Sequence, residues 1–237
     1  MAQLHAPASR WSASGLHAAI SLVVIGTIAV AAVLWWFPAG LWHLSGVQRL
    51  FGIMIGADVV LGPLLTLLVY RRGKPGMRLD LWVIALAQAA FLAYGVHTLW
   101  LNRPLVLAGS QQAFALVFAS ELPDDAPARM AKVGWPRFHR HGPWLVGVDL
   151  SSPVAREEFL FAYMAGNSGP LRDPDLYIPY DRIANDVLGK ARAPDKALSS
   201  QLPEPNGVRT IAAFSLRVGG GVMLLDARTG HPLRVVR

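Results

Sequence analysis

The sequence predicts a membrane protein with three transmembrane α-helices, followed by an α+β domain with a mainly antiparallel sheet. Three long apolar stretches occupy the first hundred residues. After Leu101 the composition changes to proline, glycine and mixed charge, and short apolar runs then alternate with turn residues. Apolar residues make up 53% of the 237 residues and charged residues 16%, fewer charges than soluble domains carry. The length is sufficient for a membrane part and one further domain.

The three apolar stretches are each long enough to cross a bilayer. Gly15–Phe37 contains twenty-three residues without a charge, and at about 1.5 Å per residue it exceeds the roughly 30 Å of a hydrocarbon core. Leu50–Tyr70 contains Asp58 and Pro63, and Leu81–Leu101 is the third stretch. A cleaved signal peptide is the alternative for the first stretch, but its apolar core would be shorter. We therefore predict a three-helix membrane domain over residues 15–101.

The short link between the second and third stretches predicts the orientation. It carries four basic residues around a proline-glycine turn: Arg71, Arg72, Lys74, Pro75, Gly76 and Arg78. Because basic residues accumulate in cytoplasmic loops, this link is predicted to be cytoplasmic. Residues 1–14 then lie in the cytoplasm and residues 102–237 lie outside it.

Charge and cysteine content exclude several classes of protein. The formal net charge is +7, with six basic against two acidic residues up to position 101 and sixteen against thirteen beyond it. The basic excess of the first part lies largely in one loop, as membrane orientation requires, and nucleic-acid binding is not indicated. The absence of cysteine excludes disulfides, thiolate metal sites and cysteine nucleophiles.

Asp58 is the one acidic residue inside a predicted span, where a carboxyl group costs a few kcal/mol. Counting residues from the span ends places it in the outer half of the membrane, near the depth of Tyr94 and His97, and we predict a hydrogen bond to one of them. A polar lock between the two helices, a proton or ion relay and docking of a partner helix all remain open. Close helix packing is predicted at small residues and one proline: Gly52, Gly56, Gly62, Pro63, Ala85, Ala89 and Ala93.

The outer domain is predicted to contain strands and helices in mixed order. The predicted strands are Pro104–Leu107, Ala113–Ala119 and Trp144–Val148, with a C-terminal meander of 209–217, 222–227 and the run from Pro232. The meander turns are placed at Gly219–Gly221 and Arg228–Gly230. One helix begins at Ser152-Pro153 and stops at Gly166, a second covers 181–192, and 193–206 is a loop.

No pattern in the outer domain indicates catalysis or a cofactor. His139 and His141 could point the same way on a strand and bind a metal, but arginines flank them. The cluster of Arg137, His139, Arg140 and His141 is therefore better interpreted as a basic surface that faces a partner. Gly219–Gly221 lacks the helix and lysine of a phosphate-binding loop. The sequence predicts that the protein is not an enzyme.

Several motifs together resemble the TfpX/TfpZ family of type IV pilin accessory proteins. In the membrane part they are Gly56-Ala57-Asp58-Val59-Val60-Leu61-Gly62-Pro63-Leu64-Leu65-Thr66, Gly73-Lys74-Pro75-Gly76, Asp80-Leu81, Gln88, Ala93-Tyr94-Gly95 and Arg103-Pro104. In the outer domain they are Glu158-Phe159-Leu160-Phe161 and Leu225-Asp226-Ala227-Arg228-Thr229-Gly230.

The resemblance implies a protein of the bacterial inner membrane with a periplasmic C-terminal domain. Surrounded by membrane lipids, such a protein is expected to help stabilise, assemble or display a type IV major pilin, without catalysis. It would contact the pilin through its membrane helix, its globular head or both. The alternatives are a membrane-anchored ligand-binding or sensor protein acting through a separate partner, and an ion- or proton-coupled membrane component. The sequence leaves the oligomeric state open.

Overall fold

The computed structural model describes residues 9–71, 75–133, 135–138, 141–165, 169–215 and 217–236. The chain forms two compact units. The first combines Met1–Ala32 with Val47–Trp100, and the second combines Val33–Gly46 with Leu101–Arg237. We call them the membrane unit and the sheet unit.

The membrane unit is built on three helices long and apolar enough to cross a bilayer, which confirms the three predicted spans. The first span is α1, Arg10–Trp35. The second consists of α3, Val47–Ile55, a π-helical turn, Gly56–Leu61, and α4, Gly62–Val69. The third span is α5, Met77–Leu101. The protein is thus a membrane protein.

The observed length of the second span changes the position of Asp58 along that span. The helix begins at Val47, before the predicted start at Leu50, because Gln48 and Arg49 are also helical. Asp58 is eleven residues from Val47 and eleven from Val69, and therefore lies at the middle of this helical span.

The sheet unit contains one seven-stranded sheet with the strand order β4-β3-β1-β2-β5-β6-β7. The strands are β1 Pro104–Gly109, β2 Ala113–Phe118, β3 Trp144–Val148, β4 Tyr177–Pro179, β5 Val208–Ser215, β6 Gly219–Asp226 and β7 Pro232–Val236. The pairs β1–β3 and β2–β5 are parallel, and the other four pairs are antiparallel. The predicted fold class is confirmed.

The strands β1, β2 and β3 are buried along their whole length. Strands that are covered on both faces have nearly continuous apolar sequences, which explains why these three were readily predicted. Their side chains form the main core with Phe159 of α7 and with Leu171. Here α7 is the helix Pro153–Met164.

Among the described residues after Leu101, four α-helices accompany the sheet. They are α6 Ala126–Val133, α7 Pro153–Met164, α8 Ala184–Lys190 and α9 Lys196–Ser199. The helices α7 and α8 confirm the two predicted ones, although the predicted stop at Gly166 lies outside the described residues. The sequence did not predict α6 or α9. The helix α9 lies in the segment predicted as a loop, and the Asp195 carboxylate caps it by accepting the Leu198 N–H at 2.7 Å.

The glycines 219–221 do not form the turn that was predicted for them. They open β6 and pair with residues 213–215 of β5, whereas the turn lies at Arg217 and Val218. Gly219 follows the turn directly with a positive φ of 85°, whereas close approach of two strands explains Gly221. A Cβ at Gly221 would lie 3.0 Å from the carbonyl oxygen of Val236 on β7.

The segment Val33–Gly46, which contains the last three residues of α1 and the link to the second span, belongs to the sheet unit. It contains a 3₁₀ turn, Pro38–Gly40, and α2, Trp42–Ser45. Phe37, Leu41 and Leu44 are almost fully buried in this unit. The Ser215 hydroxyl at the end of β5 donates to the Leu44 carbonyl. This packing agrees with the predicted topology, in which the first link and the C-terminal domain lie on one side of the membrane.

Candidate functional site

The π-helical turn in the second span frees a backbone carbonyl at its centre. The Gly62 N–H donates to Ala57, five residues back, whereas in an α-helix it would donate to Asp58. The next residue, Pro63, has no N–H and cannot replace that donor. The Asp58 carbonyl must therefore find its hydrogen bond outside the backbone of its own helix.

Gln88 on the third span supplies that hydrogen bond. Its side-chain Nε2 donates to the Asp58 carbonyl oxygen at 3.1 Å. The amide reaches this position only because Gly62 has no side chain, since a Cβ there would lie 1.9 Å from Nε2. Gly62 and Pro63, predicted as packing residues, are both buried in this contact region.

Two polar contacts join the first span to the second. The Ser14 hydroxyl donates to the Pro63 carbonyl at 2.9 Å, and His17 Nδ1 lies 2.7 Å from the Thr66 hydroxyl. The two residues of the second span in these contacts are Pro63 and Thr66. They lie at and just after the proline that interrupts regular helical hydrogen bonding. The second span is thus connected by polar contacts to both of its neighbours.

The Asp58 carboxyl group lies near the side chains of Gln88 and His17 but forms no hydrogen bond with either of them. It is 5% exposed, and neither carboxylate oxygen has a hydrogen-bond partner among the described residues. The side-chain carbonyl oxygen of Gln88, Oε1, is also buried without a partner in that part of the chain. A buried polar group without a partner is destabilising, and its position at mid-span makes the cost larger.

A groove of about 230 Å³ adjoins Asp58 between the first and third spans. We call it the Asp58 groove. Its lining consists of His17, Ile20, Ser21, Val24, Ile25, Asp58, Ala85, Gln88, Ala89 and Leu92. Ile20 and Val24 are exposed at its rim, as are Ala85 and Ala89. The groove therefore has apolar walls, one carboxyl group at its floor and an open side.

The predicted hydrogen bond from Asp58 to Tyr94 or His97 is not formed in the structure. Both of those side chains are exposed. The face of α5 that meets the second span instead carries Gln88 and Gly95, which are seven residues, or two turns, apart. A Cβ at Gly95 would lie 3.0 Å from the Met54 side chain, which marks this as the contact face. Tyr94 is adjacent to Gly95 in the sequence, and its side chain therefore points to a different side of the helix from that contact face.

The small residues predicted to pack tightly do so only in part. A Cβ at Gly52 or Gly56 would meet no atom within 4 Å, so neither glycine is at a close helix contact. Ala85 and Ala89 line the Asp58 groove, and Ala93 is exposed. The close approach of the second and third spans lies at Gly62 and Gly95 instead.

The two predicted basic clusters fall partly outside the described residues. In the link, Arg71, Pro75, Gly76 and Arg78 are exposed, and Arg72 and Lys74 are not described. In the sheet unit, His139 and Arg140 are not described, and His141 is exposed. Arg137 donates from Nη1 to the Gly142 carbonyl at 3.1 Å and lies 4.5 Å from the Trp144 ring centre. Its side chain therefore makes contacts within its own part of the sheet unit.

The sequence contained a signal for the groove that the prediction did not use. Ser14, His17 and Ser21 recur at spacings of three and four in an otherwise apolar helix, and therefore share one face. Gln88 belongs to one of the motifs of the third span, but the sequence alone does not indicate that it meets Asp58. Among the described residues, no group of three or more histidine or acidic side chains comes together as a metal site.

No family model matches the chain, and no solved structure matches it either. The chain is similar to fimbrial assembly proteins of Dichelobacter nodosus. It is 31% identical over 99 residues to the one of serogroups C1 and C2, a match that covers 40% of this chain and 73% of that protein.

Two longer relatives carry the same description. The fimbrial assembly protein of serogroup I is 31% identical over 99 residues, which are 40% of this chain and 37% of the relative. That of serogroup E1 is 28% identical over 124 residues, which are 48% of this chain and 47% of the relative. The chain thus spans less than half of these two proteins and almost three quarters of the first. By the extent of that first match, the chain belongs to the family of the fimbrial assembly proteins.

Proposed function

We propose that this protein is an accessory factor of type IV pilus biogenesis in the bacterial inner membrane, of the TfpX/TfpZ kind. It binds a major pilin and stabilises it as a membrane chaperone before or during assembly. The Asp58 groove is the observation that carries this proposal, because a buried carboxyl group without a partner is suited to binding a second molecule in the membrane. The family of fimbrial assembly proteins supports pilus assembly as the process.

The sheet unit offers a second surface for the same partner. Of the four large exposed apolar side chains described on α7, Leu160 lies apart and three belong together: Val154, Phe161 and Met164. Their spacings of seven and three place them on one side of the helix. Exposed apolar groups of this kind are typical of protein contact sites. We assign this surface to the globular head of the pilin, on the periplasmic side of the membrane.

Co-purification tests the proposal. The full-length chain carrying an affinity tag is extracted from membranes of its own host in mild detergent, and another inner-membrane protein with the same tag serves as control. We expect the major pilin to be retained by the tagged chain only. In a strain without the protein, pilin abundance and the number of surface pili should fall. Unchanged pilin and unchanged pili in that strain would contradict the proposal.

A cavity in the sheet unit with both charged and apolar lining favours a second candidate, a membrane-anchored ligand-binding or sensor protein that acts through a separate partner. The cavity measures about 530 Å³ and lies beside the carboxyl end of β3, where ligands often bind in sheets with parallel strands. Charged side chains line it, among them Asp149, Arg156 and Lys190. Binding of small polar metabolites, measured as a rise in thermal stability that R156A removes, would favour this candidate over the pilin accessory factor.

A further inference from the structure

The polar atoms of the Asp58 groove define what can bind there. Both carboxylate oxygens of Asp58 and the Oε1 atom of Gln88 are acceptors without a donor among the described residues. The donor of Gln88, Nε2, already binds the Asp58 backbone carbonyl. The His17 ring nitrogen Nδ1 is paired with Thr66. An occupant that supplies donors therefore satisfies three buried acceptor atoms of the groove at once.

The depth of the site restricts the source of those donors. Asp58 is at the midpoint of Val47–Val69, about 16 Å from either end of the helix. Hydrocarbon chains of lipids donate no hydrogen bonds, and the bilayer centre holds almost no water. A donor at this depth must come from the side chain of a membrane protein.

The shape of the groove fits a helix that packs across it. Its walls run from His17 to Val24 on α1 and from Ala85 to Leu92 on α5, and each covers about 10 Å, or two helical turns. Ala85 and Ala89 are one turn apart on the rim, and small side chains at this spacing allow close approach of another helix. The volume of about 230 Å³ accommodates side chains of that helix but not its backbone.

We propose that the Asp58 groove receives the transmembrane helix of the pilus subunit, which inserts a hydroxyl, amide or amine side chain that donates hydrogen bonds to Asp58 and Gln88. This inference rests on the proposed function and specifies its contact within the membrane. The donor side chain lies at mid-bilayer on the subunit helix. Apolar residues on either side of it pack on Ile20, Val24 and Leu92.

Site-directed photo-crosslinking in the native host tests the inference. A photoreactive amino acid replaces Ala89 in the groove, and in a matched control it replaces Leu86, which is 72% exposed and does not line the groove. The readout is an adduct with an epitope-tagged major pilin. We expect a strong adduct from position 89 and a yield about tenfold lower from position 86, because only position 89 faces the occupant.

Two substitutions outside the probe position, with one control substitution, then test which groups of the groove bind the occupant. Asp58→Leu removes the acceptor and should lower the adduct from position 89 by about tenfold. Val60→Leu, on an exposed position of the same span, should leave the yield unchanged. Because Asp58→Leu also changes a buried group of the second span, Ala85→Trp provides an independent test, since it fills the groove and leaves Asp58 intact. It should abolish the adduct while the chain accumulates normally.

The outcomes separate this inference from the proposed function. Equal adducts from positions 86 and 89, or full yield in both D58L and A85W, overturn the groove assignment. An adduct of the chain with a second copy of itself also overturns it. If deletion of the protein reduces pili but D58L and A85W restore them fully, the inference fails and the proposed function stands. If deletion leaves pilin and pili unchanged, the proposed function fails.

Discussion

At the scale of single residues, Gly62 is the position where one added methyl group has the clearest consequence. A Cβ there would lie 1.9 Å from Nε2 and 2.5 Å from Cδ of Gln88. Gly62→Ala should therefore displace Gln88, break its bond to the Asp58 carbonyl and destabilise the membrane unit by about 1–3 kcal/mol. The measurement is the resistance of the detergent-solubilised full chain to unfolding by added SDS.

Gly52→Ala is the matched control for that substitution. Gly52 is in α3 of the same span, and a Cβ there would meet no atom within 4 Å. We expect no loss of resistance, since alanine favours a helix more than glycine does. Equal losses from both substitutions would show that glycine matters here for a reason other than the Gln88 contact.

Asp226 stabilises the turn between β6 and β7. Its Oδ1 accepts the backbone N–H groups of Thr229 and Arg228, each at 2.8 Å. These bonds to the ionised carboxylate, that of Thr229 first, lower the pKa of Asp226. The residue belongs to the Leu225–Gly230 motif, and the structure assigns it a local structural role.

The lowered pKa of Asp226 predicts how the stability of the turn depends on pH. The contribution of the carboxylate is complete above the unfolded-state pKa of about 3.9 and is lost as the pH falls through the lower pKa of the folded state. D226N keeps the shape but does not titrate. Denaturation midpoints of the full chain should differ between wild type and D226N at pH 7, and the difference should shrink below about pH 4. A difference independent of pH would contradict this role.

At the scale of elements, the segment Val33–Gly46 is the largest departure from expectation. In the sequence it is a short connection with little periodicity between two membrane spans. In the structure it packs on β5, β6 and β7. Gly40 has a φ of 81°, and a Cβ there would lie 2.3 Å from the Val235 carbonyl oxygen. Such a contact joins residues almost two hundred positions apart, and local sequence patterns carry no information about it.

Leu44 provides the test for this element. It is 1% exposed in the sheet unit, and L44A should destabilise the C-terminal strands by about 2–5 kcal/mol although the residue lies in a connection between spans. Leu233 on β7 is 40% exposed, and L233A should cost far less. Hydrogen exchange of the full-length protein, followed over β5–β7, measures the difference. Unchanged exchange in L44A would contradict packing of this segment on the sheet.

The predicted and missed elements differ in how local their determinants are. Buried runs such as Trp144–Val148 predict strands directly, and α7 begins at the proline that predicts its start. The short strand Tyr177–Pro179 depends on pairing with the distant β3, whereas the four-residue helix α9 begins at a local cap, Asp195, inside a segment predicted as a loop. For the candidate site, Asp58 was recognised by its charge, whereas its neighbours His17 and Gln88 depend on helix rotation and on the π-helical turn.

At the scale of the whole molecule, the predicted orientation follows from the basic link at Arg71–Arg78, and the first link packs in one unit with the sheet. The cysteine-free sequence allows single-cysteine labelling without background. With a membrane-impermeant maleimide on spheroplasts, Ser151→Cys should react at once and Pro75→Cys only after permeabilisation. The reverse pattern would contradict the orientation.

The central claim is that this membrane protein stabilises pilin before assembly, and the lifetime of newly made pilin tests it most directly. Pulse-chase labelling compares a deletion strain with the same strain carrying the full-length gene. Both strains also lack pilus extension, so that only unassembled pilin in the membrane is followed. The account predicts a severalfold shorter pilin lifetime without the protein, restored by the wild-type gene. Equal lifetimes in the two strains would contradict the account.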